Sequence, residues 1–121
     1  MPSTLIGSTD GRRMISYGSA FIYAWDLPSN KLLQRWDRNE GSSFALSPKG
    51  EYFYQDAPGE IVERSVESGE VLRSLSTPNE HLIAIATSPD GRRLATLGLN
   101  CKMRMFDVIS GTAMWERDVR T

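Results

Sequence analysis

SPDGRRLATLG, Ser88 to Gly98, has two looser relatives upstream: SPKGEYFYQDA from Ser47 and STDGRRMISYG from Ser8. Anchored on Gly11, Gly50 and Gly91, the three copies lie 39 and 41 residues apart. That period marks solenoids and propellers. In SPKG and SPDG the Pro occupies the second position of a type I turn, where its fixed φ fits, and Gly closes the turn. The first copy has Thr9 instead of Pro, so its turn is less pre-organised.

Four segments of strand type surround each turn. A small, apolar segment precedes it: TLIGS, SFALS or LIAIATS. RRMISYG, EYFYQD or RRLATLG follows it, with large apolar residues alternating with others, the period of a strand that has one buried face. The third segment is FIYAWDL, EIVERSV or KMRMFDV, and the fourth is KLLQRW, EVLRSL or TAMWERDV. Between the third and fourth stand PSN, ESG and ISG, where Asn30, Gly69 and Gly111 suit a left-handed turn position. Asp26 and Asp107 end their third segments and are expected to accept hydrogen bonds from the turn amides. Breakers recur too often for helices, and β-branched and aromatic residues crowd the segments between them. The expected fold is all-β: three four-stranded antiparallel β-propeller blades, over residues 3–38, 42–77 and 82–121. Small residues (Gly7, Ala45, Ala84, Ala86) place the first strand on the crowded inner side, and Trp25 and Phe106 are expected to be buried between sheets.

These residues resemble the WD-repeat β-propeller family across nearly the whole chain. SPDGRRLATLG followed by MRMFDVISGTAMW is similar to the family's consensus, and AWDL carries its name-giving dipeptide. The Gly-His pair that opens a family repeat is absent, and His81 does not stand at that position. The turn Asp before the third strand is not clearly present, since Asp56 and Asn100 are only near it. The resemblance's buried His-Ser-Asp-Trp network therefore cannot form, and the blades are expected to rest on apolar packing. Trp36 and Trp115, late in their fourth strands, also look like the docking tryptophans of quinoprotein-like propellers, a second family reading.

A chain of 121 residues fits one domain. Hydrophobic residues make up 40% and charged residues 24%, which argues against disorder. The net charge of -1 argues against a nucleic-acid or anionic-membrane surface. One cysteine, Cys101, excludes an internal disulfide. No apolar run approaches the roughly 20 residues that span a bilayer, and residues 1–30 lack a signal-peptide pattern. The expected compartment is the cytoplasm. One His and one Cys make no metal site, no glycine loop cradles phosphate, and nothing near His81 supplies a nucleophile. No cofactor and no enzymatic activity are expected.

Three blades close no ring, so two apolar sheet faces must be covered. Self-association head to tail would close six blades from two chains or nine from three, with six favoured as a common closed size. Missing blades of a longer chain, or a different protein, would serve as well. The resemblance implies a non-enzymatic scaffold that binds a protein or peptide partner. The alternative is a fragment of a larger propeller enzyme whose active blades lie elsewhere. Candidate partner-binding residues lie on the variable rim: Arg38, Asn39, Glu40, Asp56, Asn79, Glu80 and His81. Glu63 and Arg64 join them, as charges where neighbouring blades have Ala24 and Met105, and Trp25 and Phe106.

Overall fold

The computed structural model describes residues 4–18, 20–37, 43–57, 59–77 and 82–119. These form twelve strands and no helix. Sheet one holds β1 (Thr4–Gly7), β2 (Arg13–Tyr17), β3 (Phe21–Asp26) and β4 (Lys31–Asp37). Sheet two holds β5 (Phe44–Leu46), β6 (Tyr52–Ala57), β7 (Glu60–Ser65) and β8 (Val71–Ser76). Sheet three holds β9 (Leu82–Thr87), β10 (Arg93–Gly98), β11 (Lys102–Asp107) and β12 (Thr112–Asp118). Each is an antiparallel meander with its strands in chain order.

The recurring phrase is a turn with a built-in brace. Gly11, Gly50 and Gly91 have φ of 75°, 73° and 74°, a region that suits Gly because it lacks Cβ. Their amides donate to the carbonyls of Ser8, Ser47 and Ser88 at 3.0, 2.9 and 2.9 Å. The serine hydroxyls then accept from the amides that open the next strand: Arg13 at 3.0 Å, Tyr52 at 2.9 Å and Arg93 at 3.0 Å. Ser8 and Ser88 donate their hydroxyl protons to Asp10 and Asp90 at 2.6 Å. Those bonds, with the backbone amides of Arg12 and Arg92, hold both carboxyls below the ordinary aspartate value.

The turns between third and fourth strands behave as expected. Asp107 Oδ1 accepts from the amides of Ile109 and Ser110 at 2.9 and 3.1 Å. Asp26 Oδ2 accepts from the Ser29 amide at 3.2 Å. In the middle blade the Ser65 hydroxyl takes over, accepting from the Ser68 amide at 3.2 Å. In all three blades the pairing of third and fourth strands slips by one residue at the same place, after Ala24, Glu63 and Met105.

The sheets stack face to face around two cores. Ile15, Ile22 and Ala24 of sheet one meet Phe44, Phe53 and Val66 of sheet two. Tyr54, Ile61 and Leu75 of sheet two meet Leu94, Phe106 and Val108 of sheet three. The first strands approach one another across the stack, β1 to β5 and β5 to β9. They therefore form the inner side; of the small residues there Ala45 is buried, whereas Gly7, Ala84 and Ala86 are exposed, with open space beside Gly7. Phe106 is buried as expected, but Trp25 is only half-buried. Its side chain lies on the outer face of sheet one, against which no sheet packs among the described residues, and its Nε1 donates to Ser16 Oγ at 2.9 Å.

Candidate interaction surfaces

Six of the rim candidates, Arg38, Asn39, Glu40, Asn79, Glu80 and His81, lie outside the described residues. Asp56 lies within them and is buried. It stands near the end of β6 and accepts a hydrogen bond from the Ser43 amide at 2.7 Å. That bond ties the entry of the first strand to the second, and Ser43 Oγ donates onward to the Leu82 carbonyl of the next blade at 3.0 Å.

Glu63 and Arg64 point to opposite sides of the middle sheet, as adjacent strand residues must. Glu63 is buried against the third blade. Its carboxylate pairs with Arg73 Nε at 3.2 Å and accepts a hydrogen bond from the Tyr54 hydroxyl. Burial first, then the neighbouring Glu63 charge, raises the Tyr54 phenol well above its ordinary pKa, so it remains a donor. Arg73 also donates across the blade boundary, from Nη1 to the Ile109 carbonyl at 3.3 Å and from Nη2 to that of Val108. Arg64 turns toward the first blade. Its guanidinium carbon lies 5.5 Å from the Trp36 ring centroid and its Nη1 donates to the Gly69 carbonyl at 3.0 Å. Burial pulls the Arg64 guanidinium below the usual arginine value.

The blades thus do not rest on apolar packing alone. A Tyr54–Glu63–Arg73 network joins the second blade to the third, and buried Arg104 pairs with Glu116 at 3.0 Å on the third blade's inward face. Sequence reading singled out Glu63 but missed Tyr54 and Arg73. The signal was cross-strand register: Tyr54 stands opposite Glu63 on one side and Arg73 opposite it on the other. An open groove of about 380 Å³ runs beside this network, lined by Tyr52, Leu72, Arg92 and Ile109 among others.

Each end of the stack presents a sheet face that carries apolar side chains. On sheet one, Phe21, Tyr23 and Trp25 form a ladder along β3, with successive ring centroids 6.3 Å apart. Leu5 and Leu32 stand exposed beside it. On sheet three, Ala95, Met103 and Met105 lie on the outward side, and Trp115 is exposed next to them. Among the described residues no group of His, Cys, Asp or Glu could hold a metal ion.

No protein-family model matches the sequence, and no curated protein matches it. Solved structures do. The WD40 repeats of RRP9 superpose over 93% of this chain with a TM-score of 0.76 at 16% identity. U3-55K does so over 93% with a TM-score of 0.77 at 15% identity. Hydrazine synthase from Kuenenia stuttgartiensis does so over 93% with a TM-score of 0.74 at 14% identity. The chain spans 37%, 38% and 34% of those chains respectively. Three four-stranded meanders, braced by the same turn and stacked side by side, are blades of the β-propeller fold, the fold of the WD40 repeats they resemble.

Proposed function

We propose that this chain is a segment of a non-enzymatic propeller scaffold that binds a protein or peptide, and that it works within a closed ring completed by self-association. The observation that carries the reading is the pair of bare end faces. Each has the composition of the internal blade contacts but no sheet against it. A ring of six blades from two chains, or nine from three, covers every face. Closure also assembles the rim and central channel on which a partner would dock. Binding of a protein partner accords with the WD40 likeness, and the balanced charge favours protein over nucleic acid.

Light scattering on the purified chain at micromolar concentration tests the closure. A mass of two or three times 13.5 kDa is expected. A soluble, folded, monodisperse species of 13.5 kDa would overturn it. The likeness to hydrazine synthase favours a second reading, a fragment of a propeller enzyme with its active blades elsewhere. The mass of the native polypeptide separates the two: a chain much longer than 121 residues supports the fragment.

A further inference from the structure

Every blade has one side that meets the blade before it and one that meets the blade after it. Residues at matching positions can therefore be compared directly. On the first strands, Leu5, Phe44 and Ile85 occupy the side facing the blade before. Phe44 is 7% exposed and Ile85 9%, but Leu5 is 64% exposed. After the third strands, Leu27, Val66 and Val108 match in the same way, at 37%, 0% and 8%. The first blade thus carries the surface of an ordinary blade contact with nothing upon it.

A polar bond repeats across the internal contacts as well. Gln34, opposite Ala24 on β4, donates from Nε2 to the Glu67 carbonyl in the next blade's turn at 3.1 Å. Arg73, opposite Glu63 on β8, donates to the Ile109 carbonyl in the following turn at 3.3 Å. The matching donor position on β12, opposite Met105, is Trp115. The matching acceptor position in the first blade's turn is Pro28. The chain therefore carries an indole N–H, which only donates, at one end of its stack and a proline carbonyl, which only accepts, at the other.

We infer that a second copy of the chain covers these faces head to tail, with Trp115 of one copy seated on the Leu27–Pro28 turn of the other and its Nε1 donating to the Pro28 carbonyl. Met105 then lies toward Trp25, where Glu63 and Phe106 face each other's blades within the chain. Like-with-like contacts, Trp115 on Trp115 or Pro28 on Pro28, bring donor to donor or acceptor to acceptor and lack this match. The inference continues the two internal contacts by one more step. It rests on the closure reading above, and it adds which surfaces meet and in which polarity.

Two exposed positions test it with little risk to the fold: Leu27→Glu and Trp115→Glu. Circular dichroism confirms folding, and sedimentation velocity reads the mass. Each variant alone is expected to lose self-association by about 100-fold or more in Kd, roughly the loss of a central interface anchor. An equimolar mixture is expected to regain a dimer, because the intact Trp115 face of the first variant meets the intact Leu27 turn of the second. If the wild-type chain self-associates but Trp115→Glu does so equally well, the head-to-tail surface is wrong while ring closure stands. If Leu27→Glu alone abolishes assembly and the mixture fails to recover it, the contact is symmetric and the inference falls. If the folded wild type is a monomer, both fall. Should either variant unfold, Leu5→Gln replaces Leu27→Glu, since Leu5 makes its contact only with an added blade.

Discussion

Removing Arg73 should unpair a carboxylate inside the second blade boundary. Glu63 is buried there, with Arg73 Nε at 3.2 Å and the Tyr54 hydroxyl as its partners. Arg73→Ala leaves the charge with Tyr54 alone and also frees the Val108 and Ile109 carbonyls of the next blade. Breaking a buried ion pair from one side costs about 3–5 kcal/mol. The Arg73 side chain is 34% exposed, so water screens part of the pair, and about 2–3 kcal/mol is the better expectation. Glu63→Gln keeps an acceptor for Tyr54 and removes the charge, which should cost about 1–2 kcal/mol.

Replacing both partners with leucine removes the buried charge along with the pair, and should bring stability back to within about 1 kcal/mol of wild type. Urea unfolding followed by tryptophan fluorescence, at one fixed protein concentration, gives these values by linear extrapolation. A double-mutant cycle built from Arg73→Leu, Glu63→Leu and the two together should show coupling of about 1 kcal/mol or more. A loss under about 0.5 kcal/mol for Arg73→Ala, or a coupling near zero, would refute the claim that this network latches the two blades.

Gly50→Ala should destabilise more than Gly11→Ala, although both have positive φ, because an added Cβ at Gly50 would sit 2.4 Å from Arg13 Cβ while Gly11 faces open space. Urea unfolding should give about 1 kcal/mol for Gly11→Ala and at least about twice that for Gly50→Ala. Stability should fall as pH rises past about 10, the ordinary tyrosine value: the folded state holds the Tyr54 proton at a raised pKa, so it binds more protons than the unfolded chain and alkali favours unfolding. A Tyr54→Phe variant should show a smaller alkaline loss in the same titration. Phe106→Ala should cost about 3–5 kcal/mol, whereas Trp25→Ala should cost under about 2 kcal/mol in dilute, unassociated chain, since its ring is already half in water. Chemical denaturation of the two variants side by side checks the order.

The turns were the most legible part of the chain because their chemistry is local. Ser8, Ser47 and Ser88 each brace a hairpin through atoms no more than five residues away, so the pattern shows in the letters themselves. Asp26 and Asp107 were readable for the same reason, and even the Ser65 substitute follows the same geometry. Strand number and order came from the repeat, since a meander of short connections leaves few alternatives. Trp25 was misjudged because burial depends on which sheet lies opposite. Alignment makes it equivalent to Phe106, yet among the described residues no sheet lies against its face.

Glu63 shows where local reading stops and what would extend it. Alone in the sequence, it looks like drift in a degenerate repeat or a contact for a partner. With register added, Tyr54 and Arg73 fall beside it on the flanking strands, and the three polar groups form one unit, buried at Tyr54 and Glu63 and reaching the surface at Arg73. The same unit explains how the middle blade carries charge at positions its neighbours fill with Ala24 and Met105. Arg73 reaches over Glu63 to the next blade's turn, at the place where Gln34 makes the same reach one boundary earlier. The charge is therefore part of the stacking device and follows the repeat. Glu63 breaks the pattern at the level of residue type and keeps it at the level of bonds, which is why bonds compared between blades bring Trp115 and Pro28 forward as the next positions in the series.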